Sequence, residues 1–183
     1  MNPWWWALIG AVAVLLLALY LSMTAGRLDR LHRRLDASET ALDVQLLRRS
    51  ALVLDLASTA IFDPATTVVL ADSAHAARAA QDDDRIARAL IESNLTRVLA
   101  ETLPDREEVD EIGDDAEAVQ MLAELRATCV RVQLSRRFLN DGVRACRQVR
   151  KQRFVRWFHL AGRTPWPETF EMDDTPPPGL ALH

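Results

Sequence analysis

With 183 residues and a formal net charge of −4, the chain is the size of one domain once its N-terminal apolar run is set aside. Six glycines and one tyrosine are few for a sheet protein, and abundant alanine, leucine, arginine and glutamate favour helix. HExxH, GxSxG, GxGxxG and Walker patterns are missing and His32, His75, His159 and His183 are scattered, so the enzyme classes that such signatures mark are excluded.

From Met1 to Gly26 there is no charged side chain. Trp4 to Gly26, WWWALIGAVAVLLLALYLSMTAG, exceeds the roughly 20 apolar residues that cross a bilayer core. Tryptophans 4–6 suit a membrane interface. A cleaved signal peptide wants a basic start and a shorter apolar core, and no base precedes Arg27. Residues 1–26 are therefore expected to be a transmembrane anchor. Arg27, Arg30, Arg33 and Arg34 follow at once, which predicts a cytoplasmic C-terminal body and an outside N-terminus in the cell membrane.

A helix is expected from about Arg27 to Phe62, with Leu28, Leu31, Leu35, Leu42, Leu46, Val53 and Leu56 in a near-heptad pattern. No proline separates it from the anchor. Asp63-Pro64 is the first break, either a hairpin or a kink, with Asp63 as cap and Pro64 at the first position of a second helix. The acids of Gln81 to Asp84 suit the start of a third helix, Arg85 to Leu103. Its apolar face is expected to hold Ile86, Leu90, Ile91, Leu95 and Val98. Pro104 to Asp115 reads as an acidic, partner-facing loop. The longest helix is expected from Ala116 to about Leu160, with Leu122, Leu125, Cys129, Val132, Arg136, Leu139, Val143 and Cys146 alternating by three and four as a core seam. That seam crosses Asn140-Asp141-Gly142 without a slip, so helix continuity outweighs the turn signal there. Cys129 and Cys146 lie roughly 25 Å apart on one helix, too far for a disulfide, and read as buried thiols. The fold class that results is all-α: a single N-terminal transmembrane helix, then an antiparallel up-and-down four-helix bundle over 27–172 and a flexible proline-rich tail over 173–183.

Two stretches resemble the LemA family. Asp43, Val44, Gln45, Leu46, Arg48 and Arg49 resemble its first motif, shortly after a transmembrane helix. Glu124, Leu125, Arg131, Arg136, Arg137, Asn140, Asp141 and Val143 resemble its second. Pro104 and the TFEMDD ending are similar too. Leu54, Cys129, Leu139 and Phe154-Val155 stand where that family has proline, an acid, tyrosine and phenylalanine-proline, which marks a divergent member. The resemblance implies a membrane-anchored four-helix bundle without a settled activity; one branch of the family is linked to magnetosome membranes.

Asp43, Gln45, Arg48 and Arg49 are expected to meet Arg136, Arg137, Asn140 and Asp141 in a polar layer joining the first and last helices. The alternative is a solvated face. From Arg126 to Arg163 there are eleven bases against one acid, Asp141. Within that stretch Arg150, Lys151, Arg153, Arg156, Trp157 and Phe158 are expected to contact the membrane surface, because alternating helices bring the last one back to the bilayer. Neither cofactor, metal, nucleic acid nor small-molecule substrate is expected. The function expected is a non-catalytic membrane-anchored scaffold or adaptor, acting with a protein partner or a second copy; the alternative is an accessory subunit of a larger membrane complex.

Overall fold

The computed structural model describes residues 3–59, 61–82, 84–105, 107, 116–162 and 164–181. These residues are helical or irregular, with no strand among them. The helices are α1 (Pro3–Ser58), α2 (Pro64–Ala79), α3 (Arg85–Thr102), α4 (Ala116–Arg150) and α5 (Arg153–Trp157), with 3-10 turns at Ala80–Asp82 and Pro178–Leu180. Most of the acidic stretch Pro104 to Asp115 lies outside the described residues.

The apolar N-terminal run and the first body helix are one helix of 56 residues. It is also the longest, a place the sequence assigned to the last helix. Side chains of its early part are exposed and apolar, Trp4 (83%) and Met23 (75%) among them. From Leu28 the pattern becomes a stripe, with Leu28, Leu35, Leu42, Leu46, Val53 and Leu56 buried. Alone among the described helices, α1 is long and apolar enough to cross a membrane.

Two compact units are present, Met1–Ala37 with Asn140–Glu168, and Ser38–Leu139 with Thr169–His183. The larger one gathers a single core: Leu52, Val53, Leu56 and Ala57 of α1, Leu70, Ala74 and Ala77 of α2, Leu95, Val98 and Leu99 of α3, and Leu122, Leu125 and Cys129 of α4. Asp63 caps α2 as expected, its Oδ1 accepting from Ala65 N (2.9 Å) and Thr66 N (3.2 Å), ahead of Pro64. Asp84 occupies the corresponding place before α3 but makes no side-chain cap.

The apolar face of α3 differs from expectation. Ile86 and Leu90 point to solvent at 70% and 67% exposure, and Ala89, Glu92, Leu95, Thr96, Val98 and Leu99 face inward. Two polar residues on the inward face displaced the apparent hydrophobic stripe by part of a turn.

Residues beyond Asp173 are not a loose tail over the described part. Leu180 enters the core, and Gly179 N donates to Leu103 O at 3.0 Å. Burying one leucine contributes about 1.5–3 kcal/mol before ordering costs. The segment from Thr169 to Ala181 thus forms a strap across the larger unit.

In the smaller unit α4 stops at Arg150, ten residues before the expected end near Leu160. Gln152 is extended (φ −63, ψ 138), and a single short helix, α5, follows. No proline or glycine causes the break. Instead Arg147 Nε donates to Pro167 O (2.8 Å), and Arg150 donates to Pro165 O (2.5 Å) and Thr164 O (2.8 Å). The returning chain is thereby tied to the last turn of α4, and left-handed His159 (φ 50) and Gly162 (φ 58) reverse its course.

Asn140-Asp141-Gly142 lies inside α4, with no turn. A Cβ on Gly142 would stand 2.9 Å from Leu35 Cδ2, so the glycine admits a leucine of α1. Gly142→Leu is expected to destabilise the full chain by about 1–3 kcal/mol through overpacking. Combined with Leu35→Ala, the loss should fall short of the two single losses added together by about 1 kcal/mol. Denaturant unfolding in mild detergent measures both; simple additivity would refute the contact.

Candidate functional site

Buried charge is concentrated where α1 faces α3. Arg49 and Glu92 are each 2% exposed. Arg49 Nη2 donates to Glu92 Oε2 (2.6 Å) and to Glu92 O (3.1 Å), and Nη1 donates to Thr96 Oγ1 (3.0 Å). The Thr96 hydroxyl in turn donates to Glu92 O at 3.1 Å. One α3 turn therefore supplies three acceptors to one guanidinium, leaving buried Arg49 Nε without a partner.

Two further pairs continue this contact. Arg88 Nη1 meets Asp43 Oδ1 at 2.8 Å, and Arg85 pairs with Glu39. Along α1 the members are Glu39, Asp43 and Arg49; along α3 they are Arg85, Arg88 and Glu92. Position rises together on both helices, and the sign pattern acid-acid-base meets base-base-acid. Arg88 also lies over the Phe170 ring, 5.9 Å from its centroid.

The expected layer between first and last helices is thus corrected. Asp43 and Arg49 pair with α3, because the inward face of α3 carries the complementary charges. Gln45 is half-buried, its Oε1 unpartnered. Arg48 does reach α4, but its partner is Glu124, with the pair largely in solvent. Arg136 binds the strap: its Nε and Nη2 take Asp174 Oδ2 (2.6 Å) and Oδ1 (3.0 Å) in a bidentate fork. Gln133 Nε2 donates to Asp174 O (2.8 Å), and Asp173 N donates to Ser93 Oγ (2.9 Å). Arg137 is exposed, Asn140 is buried, and exposed Asp141 pairs with Arg144 on its own helix at 3.3 Å.

Missed by sequence reasoning were Glu39, Arg85, Arg88, Glu92, Thr96 and Asp174. The complementary charge order of Glu39-Asp43-Arg49 and Arg85-Arg88-Glu92 was the available signal for all but Thr96 and Asp174.

The pKa shifts describe a structural cluster. Burial pushes the Cys129 thiol up, opposed by Arg49, and burial likewise raises Cys146. Both are free and buried, as expected. The Asp174 hydrogen bonds hold Arg136 above its ordinary value. Hydrogen bonds from Thr175, first its backbone and then its side chain, hold Asp173 below its ordinary range, with Arg136 and Arg49 assisting. Among the described residues no group of three or more His, Cys, Asp or Glu is placed to hold a metal ion. A surface depression of about 530 Å3 lies beside the strap, lined by Ser93, Asn94, Arg97, Asp173 and Pro178 among others.

Of the expected membrane-contact residues, Arg150 is committed to backbone carbonyls and lies 5.1 Å from the Trp166 ring centroid. It ties the returning chain to the end of α4. Lys151, Arg153, Arg156, Trp157 and Phe158 are exposed.

No protein-family model matches the chain, and no curated protein matches it.

Breaking the buried pair by Arg49→Ala or Glu92→Ala is expected to cost about 3–5 kcal/mol, because each leaves an uncompensated charge. Arg49→Met with Glu92→Leu should recover wild-type stability or exceed it by about 1–4 kcal/mol. Chemical unfolding followed by circular dichroism decides this, and a double variant as weak as the singles would show that the pair does more than compensate itself. The strap carries a pH dependence of known sign. Asp173 is depressed in the folded state, so its contribution is complete above the ordinary value of 3.8 and is lost as pH falls through its lower folded value. Amide protection at Thr175 is accordingly expected to persist at about pH 5 and to decline in acid below the unfolded-state value. Protection that is flat across that range would contradict the assignment.

Proposed function

We propose that the chain is a membrane-anchored helical scaffold of LemA type, without catalytic activity, holding a cytoplasmic four-helix bundle close to the inner leaflet. The observation that carries this is the continuity of α1: the exposed apolar stretch and the striped core-forming stretch belong to one helix, Pro3–Ser58. A span that continues into a packed body presents that body at the membrane instead of merely exporting it. Arg27, Arg30, Arg33 and Arg34 support a cytoplasmic body and an outside N-terminus.

The pairings support the antiparallel up-and-down arrangement. In the larger unit the α1–α3 ion pairs rise in the same sense, as first and third helices of such a bundle do. In the smaller unit Leu35 lies against Gly142 and Tyr20 against Phe154, which supports a returning chain that runs opposite to α1. Arg49 of the first LemA-like motif is spent on Glu92 and Thr96, and Arg136 of the second on Asp174, which supports a structural role for the two motifs.

Accessory-subunit function is the second reading. Leu134 and Phe138, one turn apart on α4, are 44% and 66% exposed, and such a pair suits a standing protein partner. Stoichiometric co-purification in mild detergent with one complex would favour it over a free scaffold.

The chain is expected to stay in the membrane pellet after alkaline carbonate washing. Asn2→Cys should react with an impermeant maleimide on intact cells, and Glu117→Cys only after permeabilisation. Extraction by carbonate would remove the anchor, and the opposite labelling pattern would invert the topology.

A further inference from the structure

Aromatic and basic side chains crowd the turn after α4, all within the smaller unit. Phe154, Trp157, Phe158 and Trp166 are 47%, 82%, 45% and 45% exposed. Ordinary core aromatics would be covered, and only Val155 of α5 is, at 2%. At about 100° per residue, Phe154, Trp157 and Phe158 fall within an arc of about 100°. Arg153 and Arg156 lie to the other side of that arc, and Val155 points inward between.

One contact sets the depth of this turn. The Phe154 ring meets Tyr20 edge-on, 5.9 Å between centroids and 77° between planes. Tyr20 lies inside the uncharged run, seven residues before Arg27. At 1.5 Å per residue, that is about 10 Å further into the bilayer than the first base. Interfacial amphipathic elements seat their apolar side about 5–10 Å into the headgroup and acyl boundary. A side chain touching Tyr20 is therefore at the level of lipid.

We propose that the turn from Lys151 to Trp166 is a second membrane element, with Phe154, Trp157 and Phe158 in the acyl boundary of the inner leaflet and Lys151, Arg153 and Arg156 on its anionic headgroups. This rests on α1 being a membrane span. Arg150 is not a lipid ligand in this arrangement: its bonds to Thr164 O and Pro165 O and its place over Trp166 hold the turn in shape. The wedge fixes the smaller unit to the bilayer at two places, the span and the turn, so that the unit cannot swing about α1.

The test uses the full chain in vesicles of phosphatidylcholine and phosphatidylglycerol carrying acyl-brominated lipid. One variant keeps only Trp157 (Trp4, Trp5, Trp6 and Trp166 each changed to Phe), and a second keeps only Trp5. Trp157 is expected to emit blue-shifted light and to be quenched, less so in vesicles of phosphatidylcholine alone and less so with Lys151→Glu, Arg153→Glu and Arg156→Glu. Circular dichroism confirms that each variant keeps its helicity. Quenched Trp5 with unquenched, water-like Trp157 overturns the wedge and leaves the anchor intact. Unquenched Trp5 overturns both. Trp157 that responds to a single-stranded oligonucleotide but not to brominated lipid overturns the wedge in favour of nucleic-acid contact.

Discussion

Arg49 is the group on which the larger unit depends. A guanidinium at 2% exposure has given up its water, and the effective penalty for that is several kcal/mol per ion. Only a carboxylate and oriented acceptors at fixed places offset it, and Glu92 with Thr96 supply both from one turn of α3. Sliding α3 by one turn, about 5.4 Å, would leave both charges buried and unpaired. The pair therefore selects one register among those that leucine packing alone would tolerate. Its field extends to α4 and to the strap, since Arg49 acts on both Cys129 and Asp173.

The ladder around it shows how cost and specificity are divided. Arg48–Glu124 and Arg97–Glu101 lie largely in solvent, where such pairs contribute about 0–1 kcal/mol. Arg88–Asp43 is intermediate, with the arginine side chain 13% exposed and covered on one side by Phe170. Burial increases from the Arg85 end towards Arg49, so the outer pairs guide alignment and the inner pair enforces it. Leucines of four helices then fill the core that this alignment brings into line.

Periodicity was a good guide wherever one face of a helix is uniformly apolar. Leu122 to Cys146 on α4 read correctly through Asn140-Asp141-Gly142 because seven seam positions hold phase, and Asp63-Pro64 read correctly because capping is local. It misled on α3, where Glu92 and Thr96 occupy the inward face and Ile86 and Leu90 the outward one. No local signal says that a glutamate is buried; that is decided by an arginine 43 residues away. The strap failed for a related reason. Proline-rich composition describes a chain with few internal bonds, yet Gly179 and Leu180 find theirs on Leu103 and in the core. The end of α4 is likewise accompanied by tertiary contacts, with carbonyls of Thr164, Pro165 and Pro167 accepting from two of its arginines.

The change of solvent along α1 that a membrane span would bring accounts for a smaller unit that looks unfinished as a water-soluble body. Before Gly26 the helix shows apolar side chains all round, which in water would be a liability and in lipid is the ordinary state. The turn around α5 shares that character: its aromatics are outward, its valine inward, and its bases sit at the margin. Two separate stretches of sequence thus expose apolar surface, and Tyr20 and Phe154 bring them into contact. A protein surface that must hide such area has two choices, a partner chain or a bilayer. As the proposed span, the uncharged run would supply a bilayer beside the turn without any further component, and the exposed arginines that flank the aromatics would match an anionic leaflet better than an apolar protein face.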